Sequence, residues 1–254
     1  MSADREIAAP ATAESQWQAF LAQWSPPRVE LDDLLPRHAR LVVVAPHPDD
    51  EVLACGGLAR LHARRGGAVR VIAVTDGEAS HVGSPEHDSA WLASQRRAER
   101  LRGLAALGVA ADQVVRLGLA DGRVAREQSA LEGRLTSLLG ADDVVVSTWR
   151  FDGHPDHEAT GAAVARACAQ VECRFIEAPV WMWHWAAPGD TRVEWRRLRA
   201  LPLDPGTRRS KQTALRAHAS QLAARGPSLG PVLDAAIVAR SQREFEYFLE
   251  AGPP

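Results

Sequence analysis

The sequence predicts an α/β fold: a Rossmann-like, mostly parallel, doubly wound sheet with helices on both faces. Between residues 41 and 179, short runs rich in β-branched residues alternate with longer stretches of helix-forming residues. Strand–helix alternation of this kind implies right-handed crossovers and therefore parallel strands covered on both sides. Because ligands bind such sheets beyond the carboxyl ends of the strands, the loops that leave the strands are the places to search for a site.

The alternating region is predicted to contain five strands and four helices. The strands are predicted over residues 41–45, 69–75, 113–117, 144–148 and 174–178, each bounded by Gly, Asp or Pro. The helices are predicted over residues 51–65, 89–107, 126–139 and 157–170, where Ala, Leu, Arg and Glu are frequent.

An N-terminal segment precedes this region. Its aromatic and aliphatic residues Trp17, Phe20, Leu21 and Trp24 have the spacing of one helical face, and two prolines follow them. We therefore expect residues 1–40 to form a helical extension packed on the main domain, residues 41–254. The alternative is a helix that binds a partner.

The segment after residue 179 is rich in tryptophan. Trp181, Trp183 and Trp185 occupy alternate positions, which is the pattern of one face of a strand. Helices are expected over about residues 208–225 and 231–249. The predicted fold thus ends in C-terminal helices.

The composition excludes several classes of protein. The 254 residues are 46% hydrophobic and 24% charged, with a formal net charge of −2. Disorder is not expected at this hydrophobicity, and no basic cluster favours nucleic acid or an anionic membrane surface as a partner. Three cysteines without a C-x-x-C, and the lack of a signal peptide or an 18-residue apolar run, favour a cytoplasmic protein. The oligomeric state stays open, a homo-oligomer included.

Two acidic, histidine-containing loops carry the chemistry. His47 and Asp50 follow the first predicted strand, and His157 follows the fourth, each just before a helix. Parallel strands end at the same edge of a sheet, so we expect the loops to meet. Two imidazoles and one carboxylate suit catalytic Zn²⁺ or another divalent ion such as Fe²⁺, which would lower the pKa of a water molecule to about 7.

Three neighbouring residues are candidates for catalysis. Asp49 could accept the proton of the attacking water, and His154 could face the developing oxyanion or protonate the leaving group. Asp156 could hold the His154 ring in its working tautomer. Taken singly, acidic residues at a helix start are usually capping residues. The repetition of H-P-D in both loops favours a catalytic site over that structural explanation.

At these residues the chain resembles the LmbE-like or PIG-L metal-dependent deacetylases. The family motifs P-H-P-D-D-E and H-P-D-H end at Glu51 and His157. The likeness continues through Thr75-Asp76-Gly77-Glu78, Arg96-x-x-Glu99, Leu107-Gly108-Val109, Leu119-Ala120-Asp121-Gly122 and Lys211-x-x-Ala214-Leu215-x-Ala217-His218-x-Ser220-Gln221. It therefore covers roughly residues 40 to 225 and identifies residues 41–254 as a deacetylase domain.

The resemblance implies a function and the roles of individual residues. Family members use Zn²⁺ to remove an N-acetyl group from an amino sugar, often GlcNAc joined to another group. By this resemblance His47, Asp50 and His157 are the metal ligands and Asp49 is the base. His154 is then the partner of the transition state, supported by Asp156. The resemblance also implies that Arg96 and Asp121 face the substrate.

Three further residues are candidates for contact with the substrate or the pocket. Trp149 stands beside the second loop, and its ring could stack on a sugar or an apolar aglycone, although large aromatic residues more often fill cores. Lys211, the only lysine, and His218 lie seven residues apart, which predicts one helical face. Either could contact the substrate or form a wall of the pocket.

Three functions stay open at this point. The first is a Zn-dependent N-deacetylase acting on a small, soluble, GlcNAc-type conjugate. The second keeps the metal site but cleaves a different acyl group or a thiol-conjugate amide. The third is a metal- or sugar-binding module without turnover, which the presence of Asp49 and His154 disfavours.

Overall fold

A seven-stranded sheet organises the part of the chain that the structure describes. This computed structural model describes residues 5, 7, 11–81, 88–226 and 229–250, so both outer ends of the predicted domain ranges lie outside it. The strands are β1 (Arg40–Ala45), β2 (Val69–Thr75), β3 (Val114–Leu119), β4 (Asp143–Thr148), β5 (Arg174–Ala178), β6 (Leu198–Pro202) and β7 (Phe245–Glu250). Their order is β3-β2-β1-β4-β5-β7-β6, with the first five strands parallel and β7 antiparallel to β5 and β6. The predicted mostly parallel, doubly wound sheet is confirmed.

Helices connect and flank the strands. They are α1 (Glu14–Trp24), α2 (Leu31–Leu34), α3 (Asp50–Arg64), α4 (Ser89–Leu107), α5 (Gln128–Leu138), α6 (Pro155–Val171), α7 (Met182–Trp185), α8 (Pro205–Arg216), α9 (Ala219–Leu222) and α10 (Ala235–Ser241). The four helices predicted between the strands are all present, with ends displaced by at most two residues. Every helix described is too short or too polar to span a lipid bilayer.

The two faces of the sheet carry separate cores. Leu41 and Val43 of β1 belong to the core that also contains residues of α3, α4 and α8. Val42 and Val44 point to the opposite core, which contains residues of α5 and α6. Burial on both faces explains why the central strands read as continuous apolar runs instead of alternating ones.

The strand order reverses between β1 and β4. These two strands are paired in parallel, with Val43 opposite Val146. The chain proceeds from β1 to β2 and β3 on one side, and from β4 to β5 on the other. The loops that follow β1 and β4 therefore diverge from a shared edge and leave a crevice between them, which is where ligands bind in this class of sheet.

A kink divides α3. Cys55 leaves helical geometry, with φ −151° and ψ 26°. The freed backbone N–H groups of Gly57 and Leu58 donate to the Glu246 carboxylate at 2.6 and 2.8 Å. Lys211 Nζ donates to Glu246 Oε1 at 2.6 Å and to Leu53 O at 3.2 Å. This buried ion pair thus supplies hydrogen-bond partners to backbone groups on both sides of the kink.

The structure corrects the prediction for the C-terminal region. The helix predicted over residues 231–249 is confined to α10, and its second half is the strand β7, while β6 was not predicted. The aromatic residues Phe245, Tyr247 and Phe248 favour a strand, and pairing with β5 and β6 supplies the backbone partners. The helix predicted over 208–225 is also divided, because α8 ends at Arg216.

The tryptophan-rich segment is a turn and a short helix instead of the predicted strand. The carboxylate of Asp152 accepts the backbone N–H groups of Val180, Trp181 and Met182 at 2.9 to 3.0 Å. Three consecutive N–H groups can converge on one carboxylate only when the backbone turns, so this contact excludes an extended strand. The three tryptophans consequently face different surroundings.

The predicted N-terminal helix is present as α1. Trp17 is fully buried, its indole N–H donates to Trp183 O at 2.8 Å, and the two rings meet edge to face with centroids 5.1 Å apart. Leu21 is buried in the same aromatic cluster. The apolar face of α1 is therefore covered by the segment that follows β5.

Candidate active site

The loops after β1 and β4 form the floor of a pocket of about 270 Å³. Its walls come from the loop after β2, the loop after β3, α4 and the segment around α9. The lining residues are His47, Asp49, Asp50, Leu53, Ala79, Ser80, Arg96, Asp121, Gly122, His154, His157, Trp181, Gln221, Arg225, Val232 and Leu233. We call this the His/Asp pocket.

Asp50 lies between two imidazole rings at the floor. Its Oδ2 is 3.3 Å from His47 Nδ1 and 3.2 Å from His157 Nε2, and it accepts the backbone N–H of His47 at 3.0 Å. Burial raises the pKa of Asp50, but attraction to the charges of His157 and His47 outweighs burial and holds that pKa well below its usual value. The carboxyl group is therefore ionised and available as a ligand.

His157 is oriented by a buried carboxylate. Its Nδ1–H donates to Asp152 Oδ2 at 2.8 Å, so Nε2 is the ring nitrogen that faces Asp50. Nε2 is buried and has no hydrogen-bond partner among the described residues. Burial lowers the pKa of His157, but Asp50 and Asp152 raise it to about 9. Such an orphaned nitrogen between ionised groups is what a bound cation would satisfy.

Two groups of side chains at this floor could each hold a metal ion. Ligand atoms of His47, His154 and His157 lie within 4.8 Å of one another, and so do those of His47, Asp121 and Asp156. Together with the Asp50 contacts, the donors are imidazole nitrogens and carboxylate oxygens, which fit a divalent ion such as Zn²⁺. The three residues predicted as ligands, His47, Asp50 and His157, lie together.

Asp49 lies beside this cluster in a constrained conformation. Its φ is 118°, which few residues other than glycine adopt, and its carboxylate accepts Arg96 Nη2 at 3.1 Å. Burial raises the pKa of Asp49 to about 7, Arg96 opposes the rise, and the Asp50 and Glu51 carboxylates add to it. A buried carboxylate that the backbone forces into the pocket is suited to proton transfer.

His154 is held as one tautomer at the start of α6. Its Nδ1 accepts the backbone N–H of Asp156 at 3.2 Å, so the neutral ring carries its proton on Nε2. Burial, together with the positive charge of His157 and His47, holds the pKa of His154 well below its usual value. The His154 ring centroid is 4.8 Å from that of His47 and 6.4 Å from that of Trp181, onto which it stacks.

The carboxylate of Asp156 does not contact the His154 ring, contrary to the prediction. It accepts Gly122 N–H at 2.7 Å and Val124 N–H at 3.2 Å, and its Oδ2 is 3.3 Å from His47 Nε2. Asp156 therefore orients His154 through its backbone and His47 through its side chain. The reason is positional: the His154 ring caps the N–H of Asp156 at the second position of the helix, while the Asp156 side chain points to the loop after β3.

His47 contacts two carboxylates in addition to Asp50. Its Nε2 is 3.1 Å from Asp121 Oδ1 and 3.3 Å from Asp156 Oδ2. Burial lowers the pKa of His47, but hydrogen bonds to Asp121, Asp156 and Asp50 hold it well above its usual value. The hydrogen bond to His47 likewise holds the pKa of Asp121 below its usual value, although burial opposes this.

A family model matches half of this chain. Residues 42–168, half of the chain, match the family model described as PIG-L: GlcNAc-PI de-N-acetylase.

The chain belongs to the PIG-L family.

The curated relatives that match this chain are named as deacetylases, which are hydrolases of amide bonds. The chain is 35% identical to 1D-myo-inositol 2-acetamido-2-deoxy-alpha-D-glucopyranoside deacetylase from Mycobacterium sp. (strain KMS) over 169 residues. The match covers 56% of this chain and 54% of the relative, so the chain spans about half the length of that curated protein.

Two solved structures show the same fold. One is the antimicrobial reagent A40926 pseudoaglycone deacetylase, at 22% identity and TM-score 0.62, covering 84% of this chain and 97% of that chain. The other is the zinc-inhibited form of teicoplanin deacetylase, at 20% identity and TM-score 0.60, covering 83% and 97%. At these low identities the likeness establishes the fold of this chain alone.

Only some of the residues predicted to face the substrate line the described pocket of this PIG-L family chain. Arg96 and Asp121 line the pocket. Arg96 also donates to Pro48 O at 2.6 Å and to Gly77 O at 2.8 Å, so much of its guanidinium group is committed to the loops around Asp49.

Trp149 and His218 are buried, and neither is among the described residues that line the pocket. Trp149 is 2% exposed and packs against Phe151 and Trp185, so its ring is not offered to a substrate. His218 is fully buried and lies beyond the end of α8, so it does not share a helical face with Lys211. Burial, with help from the Arg96 and Arg100 charges, lowers the pKa of His218 to about 3.

Four residues of the site were not assigned from the sequence. Asp152 had a signal, because it stands in the second loop two residues before His154. Trp181 was noted only as part of the tryptophan-rich segment. Gln221 and Arg225 reach the pocket from α9 and the segment after it, and no local pattern indicates that placement.

Proposed function

We propose that this protein is a zinc-dependent N-deacetylase that removes the acetyl group from a GlcNAc-type amino sugar on a small conjugate. The observation that carries the proposal is the convergence of His47, Asp50 and His157 beside Asp49 at the floor of one pocket. Membership of the PIG-L family and the names of the curated relatives favour the same substrate class.

His47, Asp50 and His157 would hold the ion. When bound, Zn²⁺ supplies Lewis acidity, which polarises the amide carbonyl and makes a water molecule more acidic. The Asp152 hydrogen bond keeps the His157 Nε2 lone pair directed at the site. Asp121 and Asp156 orient the His47 ring from the opposite side.

Asp49 and His154 would move protons and stabilise charge. Asp49 accepts a proton from the water whose oxygen bonds to the acetyl carbon. The His154 Nε2–H donates to the oxyanion that develops on the acetyl oxygen. When the carbon–nitrogen bond breaks, the proton held by Asp49 passes to the leaving nitrogen, and acetate and the free amine result.

The pocket walls are consistent with a sugar. Arg96 holds the strained Asp49 loop through its contacts with Pro48 O and the Asp49 carboxylate. The Trp181 ring, stacked on His154, provides an apolar face on which a pyranose ring could pack. A volume of about 270 Å³ accommodates one amino sugar and leaves the group attached to it outside.

We also propose that residues 41–254 form the catalytic unit and residues 1–40 an accessory extension, in a cytoplasmic protein. The family match begins at residue 42, and the packing of Trp17 on Trp183 supports an extension docked on the main unit. The three cysteines carry free thiols, which suits a reducing compartment.

An acetate-release screen tests the function. The zinc-loaded protein is assayed on free GlcNAc and on inositol, thiol, lipid and glycoside conjugates of GlcNAc, and its metal content is measured in parallel. We expect about one ion per chain and release of acetate from at least one conjugate. The Asp49→Ala variant should keep the ion and lose turnover by about 100-fold or more.

A matched control is Asp142→Ala, which removes an exposed carboxylate far along the sheet. It should behave as the unaltered protein does.

Longer acyl groups on the same sugar separate a deacetylase from a broader amidase. Full metal occupancy without acetate from any conjugate would instead indicate a binding module, and full turnover by Asp49→Ala would refute the assignment of the base.

A further inference from the structure

A second, smaller cavity is lined by an arginine, Arg240, two of whose donor nitrogens have no hydrogen-bond partner among the described residues. The cavity lies on the other side of Leu53 from the His/Asp pocket and has a volume of about 50 Å³. Arg240 and Arg243 line it together with Trp183, Tyr247 and the Lys211–Glu246 ion pair. We call it the arginine cavity.

Arg240 is buried without a full set of partners. Its side chain is 7% exposed, and within the described part of the chain Nη2 is its one hydrogen-bonding nitrogen, donating to Thr12 O at 2.9 Å. Nε and Nη1 are buried and have no hydrogen-bond partner among the residues described. Burial and the neighbouring Arg243 lower the pKa of Arg240 to about 10, so the group still carries its charge near neutral pH. A buried, charged donor left unpaired costs free energy.

The neighbouring carboxylates are committed elsewhere. Glu14 accepts Arg243 Nε at 2.8 Å and Nη2 at 2.7 Å, one on each oxygen, and its nearest oxygen is 4.0 Å from Arg240 Nε. Glu246 uses both of its oxygens on Lys211 and the α3 kink. Asp234 accepts the Ile237 N–H as the N-cap of α10. Two arginines thus share one carboxylate.

We propose that the arginine cavity binds a small oxyanion, a phosphate or carboxylate group, that hydrogen-bonds to Arg240. At about 10 to 15 Å³ for each water, the cavity holds about three to five water molecules, a size that fits one such group. Guanidinium groups bind both kinds of oxyanion through charge-assisted hydrogen bonds. Arg240 would hold the anion beside α10 and β7 while its Nη2 keeps the hydrogen bond to Thr12 O, just before α1.

Titration with inorganic phosphate and with acetate tests the proposal. Calorimetry at constant ionic strength should show one site for at least one of the two anions, and the better anion identifies the chemistry. At ten times its Kd, that anion should raise the Tm by about 3 to 6 °C. Both effects should be lost in Arg240→Gln and kept in Arg209→Gln, which changes an exposed arginine on α8.

The titrations are run with and without the divalent ion. Binding at the arginine cavity should not depend on the ion, whereas an anion bound at the His/Asp pocket should require it. The proposal is overturned if neither anion binds, if binding needs the ion, or if Arg240→Gln binds as tightly as Arg209→Gln. These outcomes are independent of whether the protein releases acetate.

Discussion

The Asp152→Asn variant keeps the size of a fully buried side chain but removes its charge and one acceptor oxygen. In the protein, Oδ1 accepts the N–H groups of Val180 and Met182, and Oδ2 accepts those of Trp181 and His157. If the asparagine oxygen keeps the N–H groups of Val180 and Met182, its NH₂ group faces the N–H groups of Trp181 and His157, which are donors too. His157 could then be satisfied only by the tautomer whose Nε2 is protonated, and that tautomer cannot bind a metal ion.

The expected losses of zinc affinity and of stability in Asp152→Asn are both sizeable. Replacing a carboxylate that supports a ligating histidine weakens metal affinity by about 10- to 100-fold, which is about 1.4 to 2.7 kcal/mol. Leaving the buried Trp181 N–H without its acceptor lowers the free energy of unfolding by about 1 to 3 kcal/mol. Metal affinity is measured by competition with a chromophoric zinc chelator, and stability by urea unfolding of the metal-free protein.

A matched control separates these two effects. Asp143 is also a buried carboxylate of the β4 region, but it pairs with Arg40 at the opposite end of the strand, at 2.8 and 2.7 Å. Asp143→Asn should lower stability by about 1.5 to 3 kcal/mol and leave zinc affinity unchanged. If Asp152→Asn binds zinc as tightly as Asp143→Asn does, the carboxylate serves only to hold the tryptophan-rich segment, and the reasoning is refuted.

Three further substitutions have distinct expected outcomes. Arg96→Gln should lower kcat by up to about 100-fold at unchanged metal content, because Asp49 loses its position, and an unchanged kcat would contradict this. Trp17→Ala should lower the free energy of unfolding by about 3 to 5 kcal/mol in denaturant titrations, while the folded fraction keeps its kcat. Lys211→Met should lower the free energy of unfolding by about 3 to 5 kcal/mol, because it leaves Glu246 buried and unpaired. Adding Glu246→Gln should recover part of that loss.

The parallel half of the fold was predictable because its signals are local. Each central strand is a short β-branched run that a turn residue ends, and both of its faces are buried. The antiparallel edge was not predictable in the same way. Whether residues 245–250 form a strand or a helix depends on pairing with β5 and β6, which are distant in sequence.

The floor of the site was predictable for a topological reason. Loops that follow adjacent parallel strands must meet, so His47, Asp50 and His157 could be placed together from the strand pattern alone. Contacts that depend on side-chain direction could not be placed. Asp156 turns toward His47 instead of His154, and Trp149 turns into the aromatic cluster, although both lie in the predicted loop.

Lys211 shows how a residue can serve the site without facing it. The kink at Cys55 separates the first turn of α3, which carries Asp50, from the rest of the helix, and leaves an unpaired acceptor before the kink and unpaired donors after it. One ammonium nitrogen reaches both Leu53 O and Glu246, while a Cβ at Gly56 would lie 3.5 Å from the Lys211 stem. An arginine at position 211 would have to make the same two contacts with a broad, planar guanidinium group within that space. The one lysine in a chain of 254 residues is therefore explained by the geometry of the helix that presents a candidate metal ligand.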